Sequence, residues 1–396
     1  MNVLIDGTVS MKGFYQLQSD PGTNFNARNL IAALDDVASS VDPHPNYFVF
    51  GRSRQPVPLA REKLSNVAAP GFYCSKHCKD VTDLDQQLAF AANQRRGSLT
   101  AILTDLFVTD DLRSGTGNTK MEIQLRRAIR AGHTFGIWAA KASFKGAAYD
   151  IPGPINTYSG ATSRPIFILL IGDEKKVRDF IHNINDRLSQ FSDALTSEIF
   201  AVPEIDQRAV VSVQTDLSVM ESYSLVSSQL PSHQYHAKGS ADIFADILSG
   251  GRAASNDSSN VGVRALLWRW LPRNVCAQGW SPVRADNPAF VVPSLSRGAV
   301  RLRISRRYAP ATIGEGATYF MVLEVSAKFP QNRSAFHDFS KWSADDGTLQ
   351  ADVANKVPYL RARDLEALLD RVFVISRETM PPKRIAEIPL VVRWDK

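Results

Sequence analysis

The chain of 396 residues predicts an α/β fold in its first half, with a doubly wound, mainly parallel sheet, and a β-rich second domain after it. Three observations carry this prediction. Short, continuously apolar runs alternate with helix-periodic stretches as far as about residue 195, and strands apolar on both sides belong in sheets covered on both faces. Beyond that point strand-like runs follow one another with few helices between them. The length itself suits two or three domains at roughly 100 to 200 residues each.

The elements follow in order. Residues 3–5 (VLI) predict a first strand, and 24–41 (NFNARNLIAALDDVASSV) place apolar residues at helical spacing. A second strand is predicted at 47–50, an amphipathic helix at 84–93 (LDQQLAFAAN) and a third strand at 99–103. A helix at 121–131 leads through Gly132 into a strand at 135–139, and a strand at 166–171 (IFILLI) precedes a helix at 174–188. This sets the first domain at 1–195. The second, 196–396, reads as β-rich or α+β, with strands at 209–213, 263–270, 289–292, 300–304 and 319–325 and one helix near 362–372. Residues 249–261 (SGGRAASNDSSNV) are small and polar and predict a flexible loop.

Composition narrows the function classes. At 44% hydrophobic and 22% charged residues, the chain reads as an ordinary globular protein, and no window approaches the roughly 20 apolar residues of a membrane span. The first residues show no charged leader before an apolar stretch, which predicts a cytoplasmic protein. Three cysteines, Cys74, Cys78 and Cys276, are too few for a disulfide framework, in keeping with a reducing compartment. A net charge of +6 is thin over this length and does not indicate nucleic-acid binding.

The ends of parallel strands are where α/β sheets bind ligands, and three such places carry oxygen donors. They are Asp6-Gly7-Thr8-Val9-Ser10 after the first strand, Asp80-Val81-Thr82-Asp83 before the helix at 84–93, and Thr104-Asp105 after the strand AILT. Carboxylates with hydroxyls, and no His or Cys, suit a hard cation such as Mg²⁺ or Mn²⁺. Taken singly, each Ser, Thr or Asp has an ordinary use as a helix cap, and Thr82 suits the N-cap of the helix that follows.

Together, Asp6-x-Thr8-x-Ser10-Met11-x-Gly13, then Thr82-Asp83-Leu84, then Thr104-Asp105 resemble the three ordered loops of the metal-ion-dependent adhesion site (MIDAS) in von Willebrand factor A (vWA) domains. Thr8 stands where that pattern has Ser, and Leu106 where Gly is common. The resemblance covers the first half and implies a Rossmann-like sheet whose Mg²⁺ is held by Asp6, Thr8, Ser10, Thr82 and Asp105. It further implies a binding rather than a catalytic protein: an adaptor whose metal takes a carboxylate from a partner protein, an AAA+ ATPase or another assembly subunit. It is also what associates the chain with bacterial stress or antiviral (phage) defence.

A rival reading uses the same acids. VLIDG also resembles the start of NYN and PIN-type nucleases, in which Asp6, Asp83, Asp105 and Asp110 would gather Mg²⁺ for phosphodiester hydrolysis; that chemistry has no particular use for Thr8, Ser10 and Thr82. Cys74, His77 and Cys78 lack the fourth ligand of a structural zinc site, and His233 with His236 lacks helical context. Arg301, Arg303 and Arg307 predict a basic strand face, read as a solvated one, and Trp268 with Trp270 predicts a packing layer.

Overall fold

The computed structural model describes residues 1–16, 25–51, 55–73, 84–106, 116–148, 161–202, 211–215, 234–238, 243–248, 261–271, 279–284, 290–296, 299–304, 318–355 and 357–395. The chain forms two compact units, and neither is a single stretch of sequence. The first comprises Met1–Ala201 with Phe336–Met380, the second Val202–Ala335 with Pro381–Lys396. Where the sequence suggests one boundary near 195, the chain returns to the first unit late, at 336–380.

The first unit is built on a seven-stranded sheet of β1 (Asn2–Asp6), β2 (Asn46–Phe50), β3 (Val57–Leu59), β4 (Leu99–Thr104), β5 (Thr134–Lys145), β6 (Ala161–Gly172) and β7 (Leu195–Phe200). Their spatial order is β3-β2-β1-β4-β6-β5-β7. β1 lies between β2 and β4 and is parallel to both. The other four pairings are antiparallel, so the sheet is mixed rather than mainly parallel. The difference lies in the IFILLI run. It sits in a strand of 12 residues that pairs antiparallel with β5 from Thr134↔Gly172 to Lys145↔Ala161 and enters the sheet between β4 and β5. A continuous apolar run marks a strand buried on both faces, which a central antiparallel strand satisfies as well as a parallel one.

Side-chain alternation divides the strands between two cores. Val3 and Ile5 of β1, Ala101 and Leu103 of β4, and Ile166, Ile168 and Leu170 of β6 join the cluster that contains α1 (Ala27–Val41) and the later helix at Glu174–Arg187. Leu4, Ile102, Ile137, Phe167 and Leu169 have the opposite parity and are also buried. They cannot reach the first core, so they belong to the other face, where α2 (Leu84–Ala92) and α3 (Thr116–Arg130) pack on each other, α2 on β4 and β6 and α3 on β5. Asn26 caps α1 by accepting from the Arg28 amide at 2.9 Å. Asp173 caps α4 (Glu174–Arg187) by accepting from the Lys176 amide.

Residues of the late segment complete the first unit. Ser343–Ala344 (β16) pairs in parallel with Ala362–Arg363 (β17), with α5 (Asp346–Ala354) between them. The Pro358 carbonyl accepts from Ser163 N at 3.0 Å, and Leu360 N donates to Ser163 O at 2.9 Å, fastening this segment to β6. The predicted late helix is α6 (Leu365–Thr379); it packs on α3, with Arg126 paired to Glu378 and Arg371 to Glu122.

In the second unit, β8 (Val211–Thr215), β10 (Ile243–Leu248), β13 (Val291–Ser296) and β14 (Ala299–Ile304) form an antiparallel sheet in the order β13-β14-β10-β8. A five-stranded sheet orders β12 (Gly279–Val283), β11 (Val261–Leu271), β15 (Thr318–Ala327), β18 (Lys383–Asp395) and β9 (Gln234–Lys238) in that sequence. It is antiparallel apart from the β18·β9 pair. Each strand predicted after 195 overlaps an observed one, whereas β9, β10, β12 and β18 escape the apolar-run criterion. Trp268 lies against its cross-strand partner Phe320, ring centroids 5.5 Å apart, as a packing layer would. Arg301 and Arg303 occupy alternate positions of β14, Arg301 in register with Asp246. Most of the predicted loop, 249–260, falls outside the described residues, as do Cys74, His77, Cys78, His233, Cys276 and Arg307.

Candidate metal site

β1 ends on Asp6, and its parallel neighbour β4 ends on Thr104, one residue before Asp105. The register Ile5↔Leu103 brings the two ends to one edge of the sheet. After Asp6 the chain turns, with Gly7 N donating to Phe50 O at 2.9 Å, and enters a 3-10 helix at Val9–Tyr15 that carries Ser10. Asp6 and Thr8 are fully buried, and Ser10 and Asp105 nearly so.

Polar bonds converge on Asp6. Its Oδ1 accepts from Thr8 N at 3.0 Å and from Thr8 Oγ1 at 2.7 Å, and its Oδ2 accepts from Thr104 Oγ1 at 2.9 Å. Thr8 Oγ1 also lies 3.0 Å from Ser10 Oγ. A hydroxyl has one proton; with that of Thr8 directed at Asp6, Ser10 donates to Thr8. The proton order therefore runs from Ser10 through Thr8 to Asp6 and leaves lone pairs on both hydroxyls. Thr104 Oγ1 in turn accepts from Leu106 N at 3.1 Å, so one side chain ties the third loop to the carboxylate of the first.

Leu106 has φ of 56°, the left-handed region that glycine enters freely and that costs other residues roughly 1–2 kcal/mol. This is the position where the resemblance expects Gly, so the backbone takes the glycine-like form with a leucine in it. Leu106 is 8% exposed, and burying a leucine side chain contributes about 1.5–3 kcal/mol, enough to offset the strain. Non-glycine residues held in this region are concentrated at functional sites.

The surroundings are close-packed. Tyr15 and Tyr73 are buried and stacked, their centroids 4.9 Å apart. Burial pushes the Tyr15 phenol well above its ordinary value, and the charge of Asp6 adds to it. Gly13 lies so close to Phe144 that a Cβ there would overlap the ring, which seats the 3-10 helix directly on the end of β5.

Of the residues predicted to hold a cation, the structure places Asp6, Thr8 and Ser10 in one hydrogen-bonded cluster and Asp105 beside it. Thr82 lies outside the described residues, as do Asp83 and Asp110 of the rival set. Sequence reasoning places Thr104 in the third loop without giving it a role, although it joins the two strand ends, and omits Gly51, which closes on Thr8. A hydroxyl residue ending an otherwise apolar strand, and a lone glycine straight after a strand, were the signals available. Among the described residues no three His, Cys, Asp or Glu side chains are grouped to hold a metal ion; the cluster here is of another kind, the Asp6 carboxylate with neutral hydroxyls, and the buried Asp105 follows Thr104 at the same edge. Its donors are all oxygen, and two buried carboxylates at one edge favour a nearby cation, so the residues present fit a hard divalent ion.

No protein-family model matches the chain, and no curated protein sequence matches it.

Proposed function

We propose that the chain is a metal-dependent protein-interaction module whose first unit is a doubly wound, vWA-like domain. The observation that carries this reading is the convergence of Asp6, Thr8, Ser10 and Thr104 in one buried network at the ends of two adjacent parallel strands, with the buried Asp105 next in the chain after Thr104. On this reading Mg²⁺ or Mn²⁺ is held by Asp6, Thr8, Ser10 and Asp105, with Thr82 supplying the second loop. The open coordination position takes a carboxylate from a partner protein, in the manner of a cytoplasmic adaptor working beside an AAA+ ATPase or another assembly subunit. A role in bacterial stress or antiviral defence belongs to the same reading and rests on resemblance. The hydroxyls favour binding over catalysis: nucleases gather carboxylates to activate water, whereas neutral oxygens leave the ion more net charge with which to attract a partner's acid.

The test is calorimetric titration of the purified full chain with Mn²⁺ and Mg²⁺. One bound ion is expected, with Ser10→Ala and Asp105→Asn each weakening it by roughly 10- to 100-fold. An absence of divalent-ion binding at millimolar concentration would sink the reading. So would Mg²⁺-dependent cleavage of single-stranded RNA or DNA that Asp105→Asn abolishes.

A further inference from the structure

We propose that Gly51 is a positioning residue of this site, matched in size to the Thr8 methyl, and that it fixes where the Thr8 hydroxyl sits. The role of Thr8 as a cation donor rests on the function proposed above; the steric pairing stands on geometry alone. Gly51 follows β2 with φ of 83°, next to the Phe50 carbonyl that accepts from Gly7 N. A Cβ on residue 51 would come 2.5 Å from Thr8 Cγ2, while its next neighbours, Thr8 N at 3.4 Å and Asp6 Oδ1 at 3.5 Å, would be in ordinary or nearly ordinary contact. The conflict is therefore with the methyl group and with nothing else.

The methyl cannot move aside independently. Thr8 is 0% exposed, and its methyl and hydroxyl share one stiff χ1 torsion. Swinging the methyl away from residue 51 swings Oγ1 off Asp6 Oδ1 and Ser10 Oγ, which it now meets at 2.7 and 3.0 Å. Serine, the usual residue of the resembling pattern, has no methyl and makes no such demand. The departure from that pattern at position 8 is thus accommodated by the bare backbone at position 51, from a different strand end.

The experiment uses the full chain as wild type, Gly51→Ala, Thr8→Ser and the double variant, with Gly97→Ala as control. Gly97 has φ of 80° and nothing within 4 Å of an added Cβ, so it carries the backbone strain without the clash. Mn²⁺ affinity and thermal midpoint are read for each protein. Gly51→Ala is expected to weaken Mn²⁺ by about 10-fold or more against wild type, whereas the double variant binds within about twofold of Thr8→Ser, since sites in contact do not add. The midpoint of Gly51→Ala should fall several degrees further than that of Gly97→Ala, and Thr8→Ser should recover the excess.

Independent addition of the two substitutions in affinity and midpoint would overturn the pairing, as would wild-type affinity in Gly51→Ala. If wild type itself binds no Mn²⁺, the metal reading fails, and the midpoints alone decide the pairing: recovery by Thr8→Ser supports it and additivity refutes it. If Gly51→Ala does not fold, a folded double variant supports the pairing and an unfolded one refutes it.

Discussion

Thr104 shows how one hydroxyl can carry two loops. It donates to Asp6 Oδ2 and accepts from Leu106 N, and it is fully buried. Thr104→Val keeps the shape and removes both bonds, so a carboxylate oxygen and an amide each lose a partner. The expected cost is about 1–3 kcal/mol, read from the shift of the urea midpoint at unchanged slope. His133 gives a pH dependence of known sign. Burial pushes it below its ordinary value of 6.5, the Arg96 charge acts in the same direction, and a hydrogen bond to the Gln94 backbone and the charge of Asp173 act against it. The folded state therefore prefers the neutral ring, and the unfolded chain takes up a proton first as the pH falls. The associated stability is complete above about 6.5 and declines below it, levelling off once the folded-state value is passed. Chemical denaturation between pH 7.5 and 5 should show this decline, and His133→Gln should flatten it.

Among the elements, the β4·β6 pairing leaves no room for added volume at Gly172. Gly172 is in register with Leu99, and a Cβ on it would overlap the Ser98 carbonyl oxygen and come 2.7 Å from Leu99 Cα. Both neighbours are backbone, held in place by the Asp173 N to Ser98 O bond of 2.8 Å, so neither can swing aside as a flexible side chain would. Gly172→Ala is expected to lose about 1–3 kcal/mol and to raise amide hydrogen exchange along β4 and β6. The comparison with Gly71, which like Gly172 has no left-handed φ and where an added Cβ meets nothing within 4 Å, separates crowding from the loss of glycine. The same pairing shows why the IFILLI run does not disclose its direction: apolar continuity reports burial on both faces, and strand direction is set by which neighbour the chain reaches.

For the molecule as a whole, the consequential feature is that 336–380 belongs to the first unit. Leu365, Leu369, Val372, Phe373 and Ile375 of α6 are buried, and α6 packs on α3 and β7. At about 1.5–3 kcal/mol each, these side chains together contribute on the order of 10 kcal/mol before entropy is counted, comparable to the whole net stability of about 5–15 kcal/mol typical of a domain. A fragment of residues 1–201 is therefore expected to lose cooperative thermal unfolding. Supplying 336–380 through a short linker should restore it, as followed by circular dichroism; a cooperative transition in the short fragment alone would contradict this account. Among the described residues no helix is long and apolar enough to cross a membrane.

Much of the first unit was legible in the chain. Runs such as VLI, AILT and IFILLI can be satisfied only by burial, and the spacing in ARNLIAALDDV only by a helix with one apolar face, so strands and helices fall where local periodicity puts them. Asp6, Thr8 and Ser10 were legible for the same reason: a short turn after a buried strand keeps them together whatever the rest of the molecule does. The insertion of β6 between β4 and β5, the return of α6, the bond from Thr104 to Asp6 across 98 residues, and the glycine that gives the Thr8 methyl its room were not legible. Periodicity reports how a segment is buried, over a few residues at a time; which segments meet depends on contacts distant in sequence, and these exist only once the chain has folded.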